Sequence, residues 1–246
     1  MKIRYILSSV ALASLSLTSC SDLDTAPEGN IITSDKKGEI LEEMPERGLA
    51  GVRAIFQGLS AYEPNYEAFG KIERHNDIGY PSVLMFTDAN TEDVVSDPNG
   101  YNWNGNSLDY SDRTYTSYES QMVWNDHYNA IYVANTVIKG YNTGEDPTNE
   151  EARFFYAQGL AARAYFYFNL AQLYQFTYKD NETKPCIPVV TDENTAKSQV
   201  EGTPCSTVEE TYTQIKSDID HAITLLEGTS YEREDKRYIS LAVAYG

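Results

Sequence analysis

Little in this 246-residue chain suits catalysis. Its histidines, His75, His127 and His221, stand apart and form no HExxH or other metal-ligand spacing, so ordinary polar or capping roles fit them better than ligation. No glycine-rich phosphate loop and no Gly-x-Ser-x-Gly elbow occurs. Carboxylate pairs such as Glu92-Asp93 could mimic the acid and base of a glycosidase, which need carboxyls ~5 to 9.5 Å apart. Among 37 acidic residues, however, such neighbours arise by chance. Basic residues are scarce, 19 Lys and Arg, and the net charge is −18. A surface of that sign repels nucleic acid and anionic head groups and leaves neutral ligands open. Cysteine is limited to three residues without zinc spacing, so neither a metal nor a cofactor is expected. No apolar run reaches the ~20 residues a membrane-spanning helix requires.

What the chain does have begins at its N-terminus. Lys2 and Arg4 precede an apolar segment, Ile6 to Leu17, and small residues lead into Leu17-Thr18-Ser19-Cys20, the pattern of a lipoprotein signal. Residues 1–19 are therefore a signal peptide, and Cys20 is the lipidated first residue of the mature chain. Several acyl chains on one residue anchor stably where a single chain does not. Loss of Lys2 and Arg4 with the signal leaves 17 basic against 37 acidic residues, a net charge of −20, so the membrane link must come from the lipid. Residues 20–37 are polar, carry Pro27 and Gly29, and read as a tether. The remaining cysteines, Cys186 and Cys205, lie in one polar stretch of an exported chain. They either stay free or pair across about twenty residues, which would contribute ~3 kcal/mol on a chain-entropy estimate.

From residue 38 onward the pattern is mainly helical. Ile40, Leu41, Met44, Leu49, Val52, Ile55, Phe56 and Leu59 recur at helical steps over 38–62, weakened at Pro45 and Gly48. Residues 63–114 lapse into Gly, Asn, Asp and aromatic residues around one apolar run, Val83 to Phe86, as long functional loops do. Trp124, Tyr128, Ile131, Asn135 and Ile138 mark a helix that should stop at Gly140, with Trp124 in the core. Pro147 and a capping box from Thr148 to Glu151 open the next, with the stripe Phe155, Gly159, Ala162, Phe166, Leu170 and Leu173. Phe154, Ala161, Tyr165 and Phe168 line its other side, so it should be covered on two sides, like the inner helix of a bundle or solenoid. A capping box from Thr207 to Glu210 opens a third helix, marked by Val208, Tyr212, Ile215, Ile219, Ala222 and Leu226. A last helical pattern begins near Lys236 and is cut off at Gly246.

Four segments resemble the SusD/RagB family of Bacteroidetes outer-membrane lipoproteins. Cys20-Ser-Asp-Leu-Asp-Thr-Ala-Pro27 is similar to the acidic run that follows the family's lipidated cysteine. Trp124 to Asn135 resembles its first repeat helix. Glu151-Ala-Arg-Phe-Phe-Tyr-Ala through Ala162-Arg-Ala-Tyr-Phe-Tyr-Phe-Asn-Leu170, the most specific segment, resembles its "EARFLRAYYYF.L" helix. Thr203-Pro204 and Val208 to Asp218 resemble the helix after it, with Cys205 where the family commonly has Arg. The resemblance implies a tetratricopeptide-like helical superhelix with long irregular loops over residues 38–246. Family members run to about twice this length, so the domain reads as truncated at its C-terminal end.

The resemblance also implies a function: a cell-surface lipoprotein of the outer membrane that binds a glycan or other nutrient and delivers it to a TonB-dependent, SusC-like transporter. It places part of an aromatic ligand platform in the irregular stretch Asp97-Pro-Asn-Gly-Tyr101-Asn-Trp103-Asn104. The chemistry agrees, because an indole face stacks on the C–H side of a pyranose while Asn and Asp match its hydroxyls. Trp103 is the expected platform, with Tyr101, Asn102, Asn104 and Asp97 as polar partners and Arg74 and Tyr80 as weaker candidates. Such aromatics can equally pin a loop onto the core. The alternatives are a helical-repeat scaffold that docks another envelope protein without binding sugar, and a glycoside hydrolase.

Overall fold

The computed structural model describes residues 34–57, 77, 79–95, 102, 104–233 and 237–246. Among these residues it is helical with no strand, and its frame is three long antiparallel layers built from α5 (Tyr118–Tyr141), α6 (Glu150–Tyr174) and α8 (Val208–Glu227). The shorter helices are α1 (Ser34–Glu43), α2 (Leu49–Gln57), α3 (Tyr80–Ala89), α4 (Gly105–Leu108), α7 (Thr195–Glu201) and α9 (Leu241–Tyr245). Helices α1 and α2 lie on α5, α5 on α6, α6 on α8, and α9 on α8, the side-by-side order of a helical-repeat stack.

Helix α6 is the inner layer. Every residue from Phe154 to Ala164 is buried, because small residues allow close approach and aromatic ones fill the remaining volume. Gly159 lets α5 approach closely, since a Cβ there would sit 2.9 Å from Ile138 Cγ1 and 3.3 Å from Val137 Cγ1. One network crosses all three layers. The buried Arg163 donates from Nε and Nη2 to the two oxygens of Asp218, each at 2.7 Å. Its Nη1 reaches Asn135 Oδ1 at 2.8 Å and Asp192 Oδ1 at 2.9 Å. Burial alone would lower the guanidinium pKa, but the hydrogen bonds and charge of Asp218 and Asp192 outweigh it and hold it above the ordinary arginine value.

The segment between α6 and α8 is a packed strap. Tyr128 donates to Pro188 O at 2.7 Å. Tyr167 both donates to Val190 O at 2.6 Å and accepts from Val190 N at 2.7 Å, and Ile187 is fully buried. A single antiparallel bridge, Pro185 to Thr207, closes its ends. That register sets Cys186 opposite Ser206, with Cys186 N to Ser206 O at 2.7 Å, so side-chain alternation sends Cys205 to the other face. Of the two arrangements the sequence leaves open, the thiols here are free, with Cys186 buried and Cys205 exposed.

Local chemistry departs from the sequence expectations in four places. The helix expected over 38–62 breaks into α1, a 3-10 turn at Pro45–Gly48 and α2, while 58–62 lie outside the described residues. The stretch expected to be irregular contains α3, which starts after Gly79 at φ 80° and carries Pro81 in its first turn. The Thr148 capping box is absent. Asn149 caps α6 instead, accepting from Glu151 N at 2.9 Å and Ala152 N at 3.3 Å, while Thr148 N donates to Glu42 Oε1 at 2.8 Å. Helix α5 ends at Tyr141, one residue past Gly140. The Thr207–Glu210 box forms as expected, with Glu210 N to Thr207 Oγ1 at 3.1 Å and Thr207 N to Glu210 Oε2 at 2.8 Å.

Candidate functional site

Beside the short helix α4 lies a groove of about 1140 Å³, walled by the end of α3, residues 112–117, the first two turns of α5 and the end of α6. Ser117 caps α5 by accepting from Ser120 N at 3.0 Å, which fixes where that helix starts. Gln121 and Trp124, three residues apart, then share one helix face. Tyr174, at the end of α6, donates to Ser120 O and stands edge-on to the Trp124 ring at 5.1 Å. Tyr128 lies against the same indole at 4.7 Å.

Asn90 organises the opposite wall. Its Nδ2 donates to Phe86 O and to Asp112 Oδ2, both at 3.0 Å. It receives Arg113 Nε at 2.9 Å on its side-chain oxygen and Arg113 Nη2 at 2.7 Å on its carbonyl. The guanidinium stacks 4.0 Å over the Tyr110 ring. Ser107 donates to Asp112 Oδ2 at 2.5 Å, and Asn106 Nδ2 to Glu119 Oε1 at 3.1 Å, so both groove carboxylates are tied to α4. Tyr115 stands on the rim, 97 % exposed. Such a surface offers apolar ring faces and amides and can bind by stacking and hydrogen bonding.

The expected site residues divide into three groups. Asp97, Tyr101, Trp103 and Arg74, with the lipidation site Cys20, lie outside the described residues. Asn102, exposed and in the left-handed region at φ 49°, and Asn104, the residue before α4, lead into the groove wall, with Gly105 N to Asn102 O at 3.0 Å. Tyr80 is apart from them. Its hydroxyl bonds to Tyr165 and its ring packs by His127 and Phe166 at 6.0 and 6.3 Å, and burial raises its pKa. His127 is a core residue, and His221 Nε2 pairs with Asp146 at 2.7 Å, tying α8 to the link before α6. Glu92 and Asp93 are exposed after α3. Trp124, expected only in the core, is half-buried and also walls the groove. Asn90, Arg113, Tyr115, Gln121 and Gln172 were not anticipated, because scattered polar residues acquire meaning only once α3, α5 and α6 converge.

A family model, SusD-like_3, described as "Starch-binding associating with outer membrane", matches residues 78–246. The chain belongs to the SusD-like family. A SusD-like carbohydrate binding protein from Bacteroides vulgatus ATCC 8482 aligns with it at a TM-score of 0.66 and 23% identity, covering 82% of this chain and 39% of that one. That likeness establishes the helical-repeat fold. A SusD superfamily protein from Bacteroides thetaiotaomicron VPI-5482 aligns at a TM-score of 0.49 and 16% identity, over 81% of this chain and 40% of that one. The chain thus spans about two fifths of the length of these solved structures. No curated protein matches it. The motifs that carried the resemblance serve the frame of the SusD-like fold. Glu151 accepts from Tyr231 at 2.8 Å, Arg153 holds Gly228 O at 2.7 Å, and Arg163 is the centre of the buried network.

Proposed function

We propose that this SusD-like chain is a lipid-anchored protein of the outer membrane, facing outward. In this reading it binds a nutrient, a glycan in the first instance, and hands it to a TonB-dependent, SusC-like transporter. It binds and does not cleave. Lipid on Cys20 supplies the anchor, and no described helix is long and apolar enough to cross a membrane. Trp103 is the stacking platform, with Tyr101, Asn102, Asn104 and Asp97 meeting the sugar hydroxyls and Arg74 and Tyr80 as secondary candidates. The observation that carries this reading is the family match over residues 78–246, whose description names both starch binding and the outer membrane. The net charge of −18 suits a neutral ligand.

Titration of the purified chain against a glycan panel tests the binding, read by intrinsic tryptophan fluorescence and by calorimetry. The expected result is saturable binding that Trp103→Ala abolishes while the helical circular dichroism is retained. Failure of a folded chain to bind any glycan would overturn the reading. For the transporter, co-purification of a TonB-dependent barrel is expected on affinity capture from solubilised outer membranes.

A further inference from the structure

The outer edge of α6 carries no charge and leaves its rings half open. We propose that this edge is a platform for a neutral glycan of straight, flat form, a β-1,4-linked chain of the cellooligosaccharide kind. The proposal goes beyond the Trp103 reading and stands without it, because every residue that builds the platform belongs to α6, α8 or the segment that follows α6.

Charge is the first guide to the occupant. Residues 164–178 contain no Asp, Glu, Lys, Arg or His, in a chain of which 23% is charged. Such a face offers an acidic ligand no partner, and the net charge of −18 repels it, so the complementary ligand is uncharged. A second copy of the chain is repelled in the same way, and a face without Lys or Arg does not hold an anionic lipid surface. The rings come next. Tyr165 and Phe168 are half-exposed, and Phe176, just past the cap at Gln175, is 81 % exposed. Their neighbours meet them edge-on: Phe166 lies 5.4 Å from Tyr165, and Tyr212 of α8 lies 6.3 Å from Phe168 and 5.2 Å from Tyr178. Among the described residues none of these rings is stacked in parallel, so the position that the C–H side of a pyranose takes is open.

Spacing then selects the shape of the chain. Tyr165, Phe168 and Gln172 follow at steps of three and four and form one straight stripe, in which each turn advances ~5.4 Å, close to the length of one sugar residue in an extended chain. A ribbon-like β-1,4 chain stays on such a row, whereas an α-1,4 chain curls away from it. Gln172 decides between a sugar and a protein partner. Its Nε2 donates to Phe168 O at 3.4 Å, and its Oε1 has no partner among the described residues. Packing an apolar protein surface over this exposed amide would leave it unpaired at a cost, while a row of ring hydroxyls supplies both donors and acceptors.

The test titrates wild type, Phe168→Ala, Phe176→Ala and Trp103→Ala with cellohexaose, maltoheptaose and hexagalacturonate by calorimetry. Phe168 and Phe176 are exposed, so both variants keep the fold, which circular dichroism checks. Expected is a cellohexaose site that persists in Trp103→Ala and that Phe168→Ala and Phe176→Ala each weaken about tenfold, with maltoheptaose and hexagalacturonate insensitive to both Phe variants. Cellohexaose affinity that neither Phe variant alters, or that Trp103→Ala alone abolishes, would overturn the platform and leave the Trp103 reading standing. Maltoheptaose or hexagalacturonate weakened as much as cellohexaose by the Phe variants would overturn the assignment to straight neutral chains. A wild-type dimer that Phe168→Ala dissolves in sedimentation would overturn the glycan as occupant in favour of a second copy. Absence of binding by folded wild type to all three sugars would overturn both sites.

Discussion

The two ends of α6 carry the same kind of residue on the same face and treat it in opposite ways. Near the start, Phe154 is 3 % exposed, enclosed by Tyr231 and Tyr238 at 5.4 and 5.8 Å. Gln158 locks that cover in place, donating to Ile239 O at 2.9 Å and accepting from Ile239 N at 2.7 Å. Towards the end, Tyr165 and Phe168 are 44 and 43 % exposed, with Phe168 meeting the edge of Tyr212 at 6.3 Å. The expectation that α6 is covered on two sides along its length therefore holds for its first half only. An apolar face marks where a neighbour fits, and the neighbour arrives only where a polar anchor such as Gln158 fixes it.

Breaking the middle of the helix should have the largest effect. Arg163→Ala strands Asp218 and Asp192 without their cation, and a loss of about 3 to 5 kcal/mol is expected in urea unfolding. The two ends should then separate cleanly: Phe154→Ala is expected to cost about 3 kcal/mol and Phe168→Ala less than about 1 kcal/mol. Equal losses would show that exposure at the far end is not what distinguishes them. Next comes alkali. Burial raises the pKa of Tyr128, Tyr141, Tyr167 and Tyr174, and of Tyr156 to about 12. A phenol with a raised folded pKa resists ionising in the fold. Its contribution is complete below pH 10, the unfolded value, and is lost as pH climbs through the folded one. Unfolding free energy should be flat in this respect up to pH 10 and then fall by up to about 1.4 kcal/mol per pH unit for each such tyrosine. Absorbance near 295 nm would follow the same transition. The smallest effect is at the first turn, where Asn149→Ala should cost about 1 kcal/mol and Thr148→Ala, which removes only the bond from its hydroxyl to Glu42, less.

The long helices were legible because α5, α6 and α8 repeat apolar residues at helical steps over 20 or more positions. The Thr207–Glu210 box was legible because both partners lie within one turn. What escaped was decided by residues remote in sequence. Thr148 has a capping residue's identity, yet Glu42, 106 positions earlier, takes its hydrogen bonds and leaves the cap to Asn149. Arg163 read as one letter of a family motif, but its role depends on Asn135, Asp192 and Asp218, 28, 29 and 55 residues away. Helix α3 is short and begins at Gly79 and Pro81, two residues that punctuate loops as often as they open helices. The groove escaped for the same reason as the Arg163 network: Asn90 follows α3, Gln121 lies in α5 and Gln172 in α6. Trp103 became a candidate through the family resemblance, supported by the fit of an indole face to a pyranose, and it lies outside the described residues.

The strap across α5 and α6 has a consequence for how the molecule loosens. Val190 is gripped by Tyr167 of α6 and Asn135 of α5, and Asn135 is in turn held by Arg163, which also holds α8. A local opening of residues 185–195 cannot proceed while these three helices stay as they are. Amide hydrogens along the strap should consequently exchange at the pace of the slowest amides in α6, so that a segment with no regular secondary structure behaves as part of the last cooperative unit to open.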